Sequence, residues 1–164
     1  MISLRRATAD DVDFLVGLVN GDDTRRFLGN RVSDTREAVL ADLAKPPAAF
    51  GWFVIEADGE RAGCVAFELA NEEHRIAKLG RFAIDPRFRE RRIGVDAAKQ
   101  FQRLLFGELG FHRIELQVYG FNERAIAHAE RAGYVREGVK RRAYMKDGAW
   151  VDAVLYALTQ EDLD

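Results

Sequence analysis

Apolar residues recur every third or fourth position in some stretches of the chain and every second position in others, and the two periods divide it into helices and strands. Residues 2–6 read as a short first strand. Thr8 or Asp10 then caps a helix whose apolar face carries Val12, Leu15, Val16 and Val19. A second helical region begins after Ser33, presents Val39, Leu40 and Leu43, and stops at Pro46-Pro47, because proline cannot continue the helical ladder. Between the two, residues 21–30 are polar and irregular apart from Phe27 and Leu28; loops there could shape a substrate entrance. From Trp52 the period falls to two, which predicts antiparallel strands over 52–56, 63–69 and 78–84, the first two joined by a turn at Asp58-Gly59. A helix over 94–109 follows, with Ile93, Ala97, Phe101 and Leu105 as its buried stripe. A strand over 114–118, a helix over 122–132 and a hairpin with Asp147-Gly148 at its tip complete the order.

That order predicts an α/β fold with a mixed sheet. In such sheets ligands sit at the carboxyl ends of strands where neighbouring connections diverge. This points to the end of the strand closing at Ile84 and the start of the strand opening at Ile114.

At 164 residues the chain is expected to be one domain, 1–164, able to close a core without disulfides. A formal charge of −2 provides no overall field toward nucleic acid or an anionic membrane. Cys64, the lone cysteine, excludes an internal disulfide and reads as a small buried hydrophobe. His74, His112 and His128 show no metal-ligand spacing with it, so no metal is expected. The first residues, with Asp10, Asp11 and Asp13 where a signal peptide is apolar, predict no secretory leader, and a cytoplasmic location follows.

Chemistry concentrates in residues 84–94, Ile-Asp-Pro-Arg-Phe-Arg-Glu-Arg-Arg-Ile-Gly, a strand end, an arginine-crowded loop and a helix start. The first turn of a helix has N–H groups without partners and the positive end of the macrodipole, so a diphosphate fits there. Arg87, Arg89, Arg91 and Arg92 add forked donors suited to phosphate oxygens. A solvated basic turn is the competing reading of the same residues.

Three segments in this order carry a resemblance that covers nearly the whole chain. They are Ile84-Asp85-Pro86 through Gly94, Phe111-His112-Arg113-Ile114-Glu115-Leu116 running to Asn122-Glu123-Arg124-Ala125, and Arg131-Ala132-Gly133-Tyr134 with Glu137-Gly138, Asp147-Gly148 and Asp152. With them the chain resembles the GNAT superfamily of acyl-CoA-dependent N-acetyltransferases, in particular the ribosomal-protein N-terminal acetyltransferases and spermidine acetyltransferases. The resemblance implies a single-domain GNAT-like fold, a mostly antiparallel sheet of about six to seven strands flanked by about four helices. It also implies acetyl transfer from acetyl-CoA to a primary amine, a protein N-terminus or a small molecule, by direct attack in a ternary complex.

Residue by residue, the resemblance puts the CoA diphosphate on Arg89, Glu90, Arg91, Arg92, Ile93, Gly94 and Val95. The pantetheine arm falls beside Phe82, Ala83 and Ile84, and the reactive end of the cofactor near Asn122. Two positions depart from the family pattern. Arg92 stands where the family has a glycine suited to positive φ and close phosphate approach. Ala129 stands where many relatives have a tyrosine that protonates the departing thiolate. A thiol of pKa roughly 8.5 leaves tolerably without that acid, which typically contributes about 10²- to 10⁴-fold. An impaired module that binds acyl-CoA or another ligand without turnover is the alternative function.

An alkylamine is almost wholly protonated at neutral pH, so a base or water chain must remove its proton. Glu68, Glu72, Glu73 and His74, after the central strand, are candidates, each also readable as part of a solvated turn. Tyr119 and Tyr134 are candidate acids, each also readable as core. His128 adjoins Ala129 but lies about 100° around the helix from it and is not backed as the acid. An exposed strand edge admits a homodimer.

Overall fold

A computed structural model describes residues 1–21, 24 and 35–163, without the side chain of Glu90. The sheet contains β1 (Ile2–Arg6), β2 (Phe50–Ala57), β3 (Glu60–Asn71), β4 (Ile76–Ile84), β5 (Arg113–Tyr119), β6 (Val135–Lys146) and β7 (Ala149–Thr159). Their order across it is β1-β2-β3-β4-β5-β7-β6. All neighbours run antiparallel except β4 and β5. The helices are α1 (Val12–Val19), α2 (Arg36–Leu43), α3 (Ile93–Arg103) and α4 (Glu123–Arg131). The sequence reading of residues 25–34, including Phe27 and Leu28, lies outside the described residues, while the second helix read after Ser33 is α2, starting at Arg36.

Each face of the sheet is covered by one pair of helices. Val12, Leu15 and Val19 of α1 and Val39 of α2 pack on Trp52, Val54, Cys64, Ala66 and Ala83. The Trp52 indole donates to Asp42 at 3.2 Å, so this core keeps its polar atom satisfied. On the other face Phe101 of α3 and Ala129 of α4 meet Phe53, Val65, Phe67, Ile114, Val154 and Tyr156. Leu40, read as part of the apolar face of α2, instead turns outward and is 39% exposed.

Local chemistry explains the boundaries. Thr8 opens a single 3₁₀ turn, Ala9–Asp11, ahead of α1, and Thr35 caps α2 by accepting from the Ala38 N–H at 3.1 Å. The β2–β3 and β6–β7 hairpins turn on Asp58-Gly59 and Asp147-Gly148, both with positive φ at each position, as the twist of a two-residue hairpin demands. The helix expected over 94–109 is α-helical only to Arg103 and continues as a π turn, Leu104–Glu108. Its wider turn lets two consecutive residues, Leu105 and Phe106, enter the core at 0% and 4% exposure.

Candidate active site

The site begins where the sheet comes apart. β4 and β5 pair only through Ile76, Ala77 and Lys78 against Arg113, Ile114 and Glu115. Beyond that the parallel strands separate, and a wedge opens toward Ile84 on one side and Tyr119 on the other. The unpaired flank of β4, residues 79–84, is about 20 Å long at the usual strand rise. The expected place is corrected in one respect. The start of β5 lies beside the start of β4, at the closed end; the end of β5 faces the opening.

Inside the wedge β4 is distorted. Cys64 pairs with Ala83 and Ala66 with Gly80, so Arg81 and Phe82 together face Val65. Arg81 has φ +55° and is buried, with its carbonyl accepting from Cys64 Sγ at 3.2 Å. Such a bulge interrupts the ladder and bends the strand. Gly63 permits it on β3, since a Cβ there would lie 2.5 Å from the Ala83 carbonyl oxygen.

At the mouth of the wedge the arginine loop forms a 3₁₀ turn, Pro86–Arg91, capped by Asp85, which accepts from the Arg87 N–H at 3.0 Å. The loop is no simple solvated turn, because Phe88 is 3% exposed and sits among Ile55, Ala57, Ala62, Ile93 and Ala97. Sequence reading passed over Phe88; its signal was a lone aromatic among charges. Arg87 and Arg91 lie over its ring at 5.4 and 4.9 Å, and Arg87 pairs with Asp85. Arg89 donates to the Ile84 carbonyl at 3.2 Å and reaches Thr24 at 3.5 Å. Arg92 is exposed and takes the left-handed conformation, φ +55° and ψ +35°, as the residue before α3. The backbone path suited to glycine is therefore kept, with arginine bearing its strain, and Ile93, Gly94 and Val95 form the first turn of α3.

The sequence-named side chains divide by place. Phe82 is half-buried under α4, Ala83 lies in the core beneath α1, and Ile84 ends β4. Asn122 is 9% exposed and caps α4, its Oδ1 accepting from the Ala125 N–H at 3.1 Å. Tyr119 is half-buried at the open end of β5, its ring stacked on Phe121 at 5.5 Å, edge-on to Tyr144 at 6.0 Å and beneath Lys146. Glu68 is half-buried on β3, in register with Lys78 at the vertex of the wedge.

Two carboxylates, one imidazole and one phenol are not brought to the opening. Glu72, Glu73 and His74 occupy the exposed turn at the start of β4, the closed end of the wedge, where the His74 N–H bonds Asn71. Tyr134 is 7% exposed in the core beside Gln102, and burial pushes its phenol well above the ordinary range. Ala129 is 2% exposed in the same cluster, so this position supplies no proton.

A hollow of about 550 Å³ lies on the other side of β4, between α1 and the Asp85-Pro86 turn, lined among others by Phe14, Gly17, Leu18 and Thr24. Among the described residues no group of three or more His, Cys, Asp or Glu is placed to hold a metal ion, and no helix is long and apolar enough to cross a membrane.

Comparison with known proteins decides the family. The model of the acetyltransferase (GNAT) domain matches residues 2–135. The chain belongs to the GNAT acetyltransferase family. An uncharacterized prophage-derived N-acetyltransferase of Bacillus subtilis, YokL, is 24% identical over 80% of this chain and 73% of its own length. Spermidine N(1)-acetyltransferase of Escherichia coli is 30% identical over 66% of this chain, and the match spans 58% of that enzyme. The fold is that of Vibrio cholerae spermidine N-acetyltransferase solved with CoA and spermine, at a TM-score of 0.86 and 22% identity over 98% of this chain and 96% of that one. The chain is accordingly an acetyl-CoA-dependent N-acyltransferase of this family.

Proposed function

We propose that the chain acetylates a small-molecule primary amine by direct attack on acetyl-CoA in the wedge, with residues 1–164 acting as one catalytic domain. The observation that carries this is the separation of β4 from β5 with a phosphate-suited helix start at its mouth, in a member of the GNAT family. The diphosphate rests on residues 89–95, the pantetheine arm runs beside Phe82, Ala83 and Ile84, and Asn122 donates near the reactive end. The amine enters by the hollow beside α1. Glu68, at the vertex, relays the amine proton through water; Tyr119, at the open end of β5, is the phenol nearest the leaving group. Most of the acceleration comes from positioning and from backbone donors that polarise the thioester carbonyl.

The comparisons support polyamines as the first acceptors to try. The test is release of free thiol from acetyl-CoA by the purified protein with spermidine, spermine and a panel of other amines, with the acetylated product identified by mass. Multiple turnovers with any of them support the reading, and silence across the panel overturns it. Buried Ala129 favours a second reading, CoA binding without turnover. Tight binding of CoA with a silent panel would establish that one instead.

A cytoplasmic location suits a chain whose one cysteine is free and buried. We also propose a homodimer through β6, an edge strand that exposes Val135, Val139, Tyr144 and Met145. Light scattering on the eluting protein reads its mass directly.

A further inference from the structure

Where the first turn of α3 meets α4 above Phe82 of β4, one titratable side chain stands between them. The His128 imidazole lies 4.8 Å from the Phe82 ring, centroid to centroid, and against the first turn of α3. A Cβ built on Gly94 would fall 3.3 Å from His128 Cε1 and 3.5 Å from Nδ1, so the glycine is what lets the ring sit this close. His128 is half-buried, and among the described residues neither ring nitrogen makes a hydrogen bond. Its nitrogens are not sealed in the core, so they remain able to bond a ligand laid along the start of α3.

Among the charges nearby, Arg131 on α4 acts on the ring. α4 also carries Glu123, Arg124 and Glu130, and Arg91, Arg92 and the exposed Asp96 flank the start of α3. β4 contributes the uncharged Phe82 ring, with Arg81 before it. Burial first and Arg131 second hold the imidazole below its ordinary pKa, so it is neutral near pH 7 in the free protein. A polyanion laid on the start of α3 reverses that balance, because it favours the imidazolium and gives its N–H an acceptor.

We infer that His128 is a cofactor-binding residue, donating to the anionic diphosphate end of CoA and taking up a proton as CoA binds. This rests on the placement of CoA proposed above. His128 thereby adds a side-chain donor to the backbone donors of α3, and CoA affinity becomes linked to pH through the imidazole range.

The experiment is calorimetric titration of the wild type, H128Q and H128N with CoA, at several pH values, in pairs of buffers with different ionisation enthalpies. The difference between buffers counts the protons taken up; the titration of free CoA, measured alone, is subtracted. The wild type is expected to take up a fraction of a proton near pH 7 and to bind CoA about tenfold more tightly than either variant at pH 6, with the gap closing by pH 8. Equal proton counts and parallel pH profiles in wild type and variants overturn the inference while leaving the CoA site intact. So does a wild type that takes up no proton, whatever the variants do. A wild type that binds no CoA overturns the cofactor site itself and this inference with it.

Discussion

Arg92 and Asp11 show how much a single position can carry. The left-handed backbone at Arg92 costs an L-residue roughly 1–2 kcal/mol that glycine does not incur. Arg92→Gly should therefore raise thermal stability by about 1 kcal/mol, and calorimetric CoA affinity should stay within a few-fold because the loop already follows the glycine path. A large gain in affinity would mean that the side chain obstructs the site. Asp11 is fully buried and receives the Arg5 guanidinium at 2.7 and 2.9 Å, Arg61 at 2.9 Å and the Thr8 N–H at 2.8 Å. The Arg5 bond foremost holds its carboxyl well below the usual range despite burial. A depressed acid contributes stability that is present above the ordinary carboxylate pKa, near 4, and is lost as pH falls below it. Asp11→Asn should lower stability by about 2–3 kcal/mol, or roughly 5–10 °C in melting temperature at pH 7, and should flatten the acid limb of stability against pH.

At the scale of elements, Phe88 turns a charged loop into a fixed one. Phe88→Ala should cost about 3 kcal/mol in urea unfolding and weaken CoA binding, since the arginine loop loses its anchor. Position 129 makes the opposite point. It is packed against the core, so Ala129→Tyr should destabilise by about 1–3 kcal/mol instead of simply restoring an acid; unchanged stability would show that the ring finds room in the wedge. These two elements also show what was legible beforehand. Both hairpin tips and the stripe Ile93, Ala97, Phe101 could be read, because turn chemistry and helical period are local signals. The π turn, the Arg81 bulge and the inward placement of His128 could not, because each is settled by what packs on it from elsewhere in the chain. His74 failed for the same reason: adjacency to the central strand says nothing about which end of it faces the opening.

For the whole molecule, the order of strands matters more than any one of them. The sheet has β1 to β4, nearly all joined by sequence neighbours, on one side and β5, β7 and β6 on the other. What joins the two is the short zipper of Ile76, Ala77 and Lys78 with Arg113, Ile114 and Glu115, backed by α3 and α4. The wedge exists only because that zipper stops early. Amide hydrogen exchange should show the protons of residues 76–78 and 113–115 opening at lower free energy than those of β2 and β3, and CoA should slow them; uniform protection across the sheet would contradict this. The same wedge is thus a tear line. A chain cut in the surface turn after α3 could be supplied as two pieces, and CoA, bridging both lips of the wedge, would serve as the clasp that holds them together.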